Sequence, residues 1–492
     1  MDSGSSAMKP LFPRRGVHLD LKGVPPTFER LMALLDVFVA AHYNVLLVEW
    51  EDSFPWTVDP RFCSETAYSP PQVRQFMEAA AQKGLEVIPL VQCLGHMETP
   101  LGLADYAHLR EVPDRSDVLN PLAAGARELV QRMVEDVLAL SPQVRYFHLG
   151  GDEAWTLGTH PDTQAYIQEH GKDALYLHHV GPLLALLAGK HIRPILWHDM
   201  MIHWSAPRLS ELADQADLMV WGYRGHPATA DPKAHYHHRH IEYLKQCGLK
   251  LWCAGAFKGG DRMDSDLPDF AARQANALAW TQVHRTVGFE GAVATGWSRY
   301  NTCSLQTCPL DSSLDTLVDL GWIFFGGQPV EGGSEGCAAL LDGLGEGQRY
   351  RSCRQAMEEL ARARSRAWEN VIMLRELMVT ARRDPRRCGG SDVQGRLRYL
   401  RQHVSEADSA ADLMRQAFAG LIPALWIERY LDERLVPLKD ELAQIERTSP
   451  SDRKKSPAAA TQSVTASSVM IATRGAGGNR LRPLSGQRSS QA

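Results

Sequence analysis

Residues 144–155 read VRYFHLGGDEAW: a short apolar run, two glycines, then two adjacent acids. Val144–Leu149 has the composition of a buried strand, and Gly150 and Gly151 let the backbone turn closely just beyond it. Like charges side by side repel, so Asp152 and Glu153 at a strand end call for a reason. Reading outward from this stretch, apolar strands alternate with amphipathic helices. Before it lie VHLDL (Val17–Leu21), NVLLVEW (Asn44–Trp50) and LEVIPLVQ (Leu85–Gln92), with helices expected over Thr27–His42, Pro70–Gly84 and Ala123–Leu140. After it come a helix over Asp162–Gly189 and the strands HIRPILWH, DLMVWGY, LKLWCAG and EGAVATGW, separated by helices near Pro207–Gln215, His235–Cys247 and Leu267–His284. A last helix at Ser312–Phe325 closes the series. Eight strand-then-helix units predict a (β/α)8 barrel over residues 14–332. A doubly wound sheet would need a glycine-rich phosphate loop after the first strand, and LDLKGVPP supplies none.

Residues 1–13 read as a flexible N-terminus. From 333 to 447 the period changes to long helices, with apolar stripes suited to packing on each other, on the barrel, or against a second copy in a homodimer. Residues 448–492 are rich in Ser, Ala, Gly, Arg and Thr without aromatics, and read as a disordered tail. The net charge of −5 argues against a nucleic-acid partner. No run of 18 or more apolar residues suggests a membrane span, and the first residues lack the apolar core of a secretory signal. Nine dispersed cysteines without a CxxC pair point to a reduced, cytoplasmic setting. The Cys303–Cys308 spacing fits no zinc pattern, and HYHHRH (His235–His240) reads as a solvated helix start. Neither a metal nor a cofactor is expected.

In such a barrel the chemistry collects at the C-terminal strand ends. These carry Glu51, Asp52 and Trp56 after the second strand, and His96 after the third. Asp152 and Glu153 follow the fourth, and Trp197, His198 and Asp199 the fifth. Trp221 and Tyr223 follow the sixth, Phe257 and Lys258 the seventh, and Trp297, Arg299 and Tyr300 the eighth. Any one tryptophan also reads as a core plug, and His96 as a hydrogen-bonded core histidine. Together they suggest a carbohydrate pocket, with acids for chemistry and aromatics to stack on the sugar.

HLGGDE resembles the signature of family 20 of the glycoside hydrolases, the β-N-acetylhexosaminidases. RGVHLD, NVLLVEWEDSFPW, VIPLVQCLGH, ILWHD and GAVATGW resemble the family's first, second, third, fifth and last strands. The helical C-terminus resembles the family's nucleocytoplasmic branch, which implies cytoplasm and nucleus. Arg15 matches the family's sugar-binding arginine. Two features depart from the main branch. Arg299 stands where an acid holds sugar hydroxyls. The tyrosine after the seventh strand has no clear equivalent near Phe257, with Tyr223 as a stand-in.

The resemblance implies a retaining exo-enzyme that removes terminal β-linked GalNAc or GlcNAc from a small carbohydrate or glycoconjugate. Most retaining glycosidases place two carboxylates across the bond. Adjacent residues cannot easily do so, which suits attack by the sugar's own 2-acetamido oxygen through an oxazolinium. Glu153 is then the acid and base, and Asp152 orients the acetamido group. His96, Trp197, Trp221, Tyr223 and Trp297 are the expected substrate-binding residues. Repulsion from Asp152 predicts a raised Glu153 pKa. Two rival readings are a metal hydrolase using His96, His148, Asp152, His198 and Asp199, and a glycan-binding protein without turnover.

Overall fold

The computed structural model describes residues 9–262, 265–302 and 304–449. Eight parallel strands close into one barrel in chain order. They are β1 (Arg14–Asp20), β2 (Val45–Glu49), β3 (Glu86–Leu90), β4 (Tyr146–His148), β5 (Arg193–Trp197), β6 (Asp217–Trp221), β7 (Leu251–Lys258) and β8 (Gly291–Gly296). The ring closes where Arg14–Val17 of β1 pairs with Gly291–Ala294 of β8. Side chains alternate across each strand. Val45 and Leu47 join Ile88, Leu90, Ile195, Trp197, Met219, Trp252 and Val293 inside the barrel. Leu46 and Val48 face out, into the layer packed on the helices.

The surrounding helices are α1 (Phe28–Ala40), α2 (Pro70–Gln82), the single turn α3 (Glu98–Leu101), α4 (Ala126–Leu140), α5 (Pro161–His170), α6 (Lys172–Gly189), α7 (Ala206–Ala213), α8 (His238–Gln246), α9 (Phe270–Val287) and α10 (Leu314–Gly326). Local chemistry sets their ends. Thr27 caps α1 by accepting from Arg30 N, and Ser69 with Gln72 forms a capping box before the two prolines of α2. The expected single helix over Asp162–Gly189 is two, because Gly171 adopts φ 93° and breaks the run.

Four further helices follow: α11 (Gly333–Gly343), α12 (Gly347–Arg383), α13 (Gly390–Ala417) and α14 (Ala424–Thr448). The last three share two apolar cores, one around Met357, Met414 and Tyr430, the other around Leu374, Leu397 and Leu438. They also dock on the barrel. Asp266, in the β7–α9 loop, accepts from Arg434 Nε at 2.6 Å and Tyr430 Oη at 3.1 Å, and pairs with Arg364. That pairing explains why Arg364 can interrupt the apolar stripe of α12. At the other end, Arg30 of α1 bridges Asp311 and Glu346 at 2.6 and 2.9 Å. Near the start, Leu11 N donates to Phe325 O, and Phe12 is fully buried. Beyond Ser449, the expected disordered tail lies outside the described residues. No described helix is long and apolar enough to cross a membrane.

Candidate active site

The double glycine after β4 is a steric requirement. Gly150 and Gly151 take φ 61° and 81°. A Cβ at Gly150 would sit 1.9 Å from Gln92 Oε1, and one at Gly151 2.3 Å from the Tyr176 hydroxyl. Three non-glycine residues of the mouth, Glu51, His96 and Glu153, also hold positive φ, at 47°, 55° and 49°. Such backbone costs roughly 1–3 kcal/mol per residue and persists only when its surroundings impose it. At Glu153 the restraint is visible: Glu153 N donates to Asp199 Oδ2 at 3.0 Å.

Asp152 and Glu153 converge on one imidazole. His96 Nε2 lies 3.2 Å from Glu153 Oε2 and 3.6 Å from Asp152 Oδ2. One ligand atom from each of the three residues lies within 4.8 Å of the other two. Asp152 is 5% exposed, and its Oδ1 has no protein hydrogen-bond partner. Burial disfavours an imidazolium at His96, but the Asp152 charge and hydrogen bonds to both carboxylates outweigh it and hold its pKa well above the ordinary value. Burial raises the Asp152 pKa despite His96, and the Glu153 charge adds to the rise. Burial also pushes Glu153 up, but the hydrogen bond and charge of His96, helped by Tyr300, bring it below the usual value. The expected rise at Glu153 is therefore reversed, because the hydrogen bond and charge of His96 together outweigh burial.

The predicted aromatics surround this pair. Trp197 is fully buried in the barrel interior, its ring 4.5 Å from that of His148 and 6.0 Å from that of Trp297. Trp221 Nε1 donates to Asp199 Oδ1 at 3.1 Å, so one carboxylate fixes both this indole and the Glu153 backbone. Trp221 stacks on Tyr223 at 5.3 Å, and Tyr223 lies 6.3 Å from Trp297. Burial, then repulsion from Asp152, pushes the Asp199 pKa up to about 7.

Other residues lie elsewhere or find other partners. Arg15 sits at the N-terminal end of β1, away from the mouth, where its guanidinium donates to the carbonyls of His42 and Phe12 at 2.7 Å. Lys22 occupies the mouth instead, 3.0 Å from Asp20, 3.2 Å from Glu49 and 5.1 Å from the Trp297 ring centroid. The cue was in the sequence: a lysine two residues past the acid that ends β1. Arg299 turns away to Glu433 of α14, at 3.1 Å. The HYHHRH stretch is only partly a helix start. His235 lies in the site, its ring 3.8 Å from that of Trp221, while the helix begins at His238. For the metal reading, His148 Nδ1 accepts from Gly150 N and His198 Nε2 contacts His235 O. Neither histidine joins His96 in a ligand cluster among the described residues.

Lys258, at the end of β7, has a structural task. It is 2% exposed, and its three ammonium donors meet three oxygens: Trp297 O at 2.8 Å, Ser298 Oγ at 3.2 Å and Thr307 Oγ1 at 3.2 Å. Ser298 N donates to Asp20 Oδ2 at 2.7 Å. The turn presenting Trp297 is thus held from inside the barrel by Lys258 and Asp20.

A closed parallel barrel with an acid pair and a tryptophan wall at its C-terminal mouth defines an enzyme of the glycoside hydrolase class. The family profile described as glycosyl hydrolase family 20, catalytic domain, matches residues 12–241. The chain is 33% identical to hexosaminidase D of Homo sapiens over 318 residues, 62% of this chain and 64% of that protein. Against hexosaminidase D of Bos taurus it is 33% identical over 302 residues, 59% of this chain and 86% of that one. It belongs to glycosyl hydrolase family 20. Among solved structures, the Flavobacterium johnsoniae chitobiase superposes with TM-score 0.53 at 14% identity, over 89% of this chain and 73% of that one. The Bacteroides fragilis β-N-acetylhexosaminidase gives 0.52 at 15%, over 69% and 72%. At such identities the likeness speaks for the fold.

Proposed function

We propose that the chain is a retaining exo-β-N-acetylhexosaminidase that removes terminal β-linked GalNAc or GlcNAc through an oxazolinium formed by the substrate's own acetamido group. One observation carries this reading: two adjacent carboxylates converge on a single imidazole, and the buried one keeps a free oxygen. Carboxylates so placed stand on one side of a sugar, so neither can attack from the face opposite the other. Asp152 Oδ1 is available to accept the acetamido N–H, and its charge stabilises the cation that develops as the ring closes. Glu153 protonates the leaving oxygen and then takes a proton from water. Trp197, Trp221, Tyr223 and Trp297 enclose the acetamido group, while Lys22 offers donors to ring hydroxyls. Chemistry resides in residues 14–332 and its support in 333–447. The cytoplasm and nucleus belong to the same proposal, on the resemblance to the nucleocytoplasmic branch.

The test is side-by-side hydrolysis of aryl β-GlcNAc, β-GalNAc and β-glucoside. The two N-acetylhexosaminides are expected to be cleaved and the glucoside to be nearly inert. Comparable cleavage of the glucoside would rule out acetamido participation.

A further inference from the structure

Glu111, between α3 and α4, is fully buried and has no part in the chemistry above. Its side-chain hydrogen bonds fall on one oxygen. Oε1 accepts from three consecutive backbone N–H groups, those of Gly158 at 2.8 Å, Thr159 at 2.8 Å and His160 at 3.0 Å, and from Thr163 Oγ1 at 2.6 Å. Oε2 has no hydrogen-bond partner. Both sides of this contact lead back to the acid. On the Glu111 side, Glu111 N donates to Val118 O at 2.9 Å, Leu119 N to Leu94 O at 2.9 Å and Met97 N to Asp117 O at 3.1 Å. These bonds form a ladder from Glu111 to the residues on either side of His96. On the other side, Trp155 N donates to Glu153 O at 2.7 Å and Leu157 N to Ala154 O at 3.1 Å, so tight turns fill the stretch from Glu153 to Gly158. The ring closes where His96 Nε2 lies 3.2 Å from Glu153 Oε2. Within it the two loops approach closely: a Cβ at Gly95 would stand 2.0 Å from Asp152 O. The positive φ of His96 and of Glu153 is thus held from both sides.

We propose that Glu111 is a positioning residue for the reaction: its carboxylate latches the loop after β4 onto the loop after β3 and so sets the direction of the Glu153 carboxyl against His96; this rests on Glu153 being the acid. A carboxylate that gathers successive N–H groups fixes a turn more firmly than a hydroxyl or a water does, because charge-assisted hydrogen bonds are shorter and stronger. Proton transfer to a leaving oxygen tolerates little misalignment. A loosened turn beside the acid is therefore felt first where the leaving group most needs the proton.

The experiment compares two β-glycosides of the same N-acetylhexosamine: a methyl glycoside, whose leaving group is poor, and an aryl glycoside of a strongly acidic phenol. In Glu111→Ala, the methyl-to-aryl ratio of kcat/KM is expected to fall about tenfold. Glu111→Gln should restore the ratio, because its amide oxygen can replace Oε1 while its nitrogen takes the place of Oε2, which no donor meets. A merely structural anchor would lower the melting temperature and the amount of active enzyme, slowing both substrates alike. An unchanged ratio in a folded Glu111→Ala, or a Glu111→Gln as impaired as the alanine variant, would overturn the proposal. Should the alanine variant fail to fold, Thr163→Val removes a single donor instead; a smaller fall in the same ratio is then expected, and no fall counts against the latch. If the unmodified protein cleaves neither glycoside, it is the hydrolase reading that fails.

Discussion

Adjacent carboxylates with separate tasks should fail separately when altered. Glu153→Gln removes the proton donor but keeps the shape, so kcat on a poor leaving group should fall roughly 10²–10⁴-fold with KM little changed. An aryl substrate with a strongly acidic phenol needs less protonation and should recover part of that loss. Asp152→Asn should stay impaired even on the activated substrate, because ring closure still lacks its charge. Full recovery there would take the acetamido role away from Asp152. His96 sets the pH response. Burial raises the Glu153 pKa, but the His96 hydrogen bond and cation lower it to a net value below normal. Because the protonated acid works, kcat/KM should decline as pH rises through that depressed value. His96→Gln removes the cation and leaves burial in charge, so the alkaline decline should move to higher pH. A pH–rate profile with the limb unmoved would show that His96 does not govern the acid.

At the scale of elements, α14 and α12 matter because both reach one barrel loop. Asp266 receives Arg434, Tyr430 and Arg364, and Arg434 is 1% exposed. Removing one partner of a buried pair strands the other, so Asp266→Ala should cost about 3–5 kcal/mol, read by denaturant unfolding. A loss near zero would mean that these helices dock through their apolar faces alone. The sequence shows why this was hard to foresee. The barrel was legible because strand and helix periods differ and alternate eight times, and the acid pair because Gly-Gly-Asp-Glu closes a buried run. The predicted Asp152, Glu153, His96, Trp197, Trp221, Tyr223 and Trp297 do meet around one mouth, although their roles rest on the proposal. Which charge answers which was not legible. Arg15 and Lys22 flank the same strand, and only its direction tells which faces the mouth. The partner of Arg299 lies 134 residues away, a separation that no local pattern encodes.

At the scale of the whole molecule, the acids gathered in the mouth tie stability to pH. Asp199, pushed to about 7 from 3.8 by burial and Asp152, keeps its proton in the native chain where the unfolded chain has lost it. Stability from this group therefore declines as pH rises from about 3.8 to 7. His96 acts in the same sense: burial opposes its charge, but Asp152 and Glu153 hold its pKa above 6.5, so its contribution is complete below 6.5 and is lost above the native value. Glu49 works oppositely, since Lys22 and His18 overcome burial and keep it ionised, but its effect is confined to pH below about 4.5. The melting temperature should be higher near about pH 5.5 than near about pH 8, and Asp199→Asn should flatten the difference. A slope unaffected by that change would place the effect elsewhere. The contact between Arg299 and Glu433 also has a bearing on synthesis. A ribosome that has added Arg299, just past the last strand, must still add 134 residues before the carboxylate that secures the rim exists, roughly 7–27 s at ordinary elongation rates. During that interval the nascent barrel has all its strands but an unfastened entrance, so catalytic competence should lag behind barrel closure.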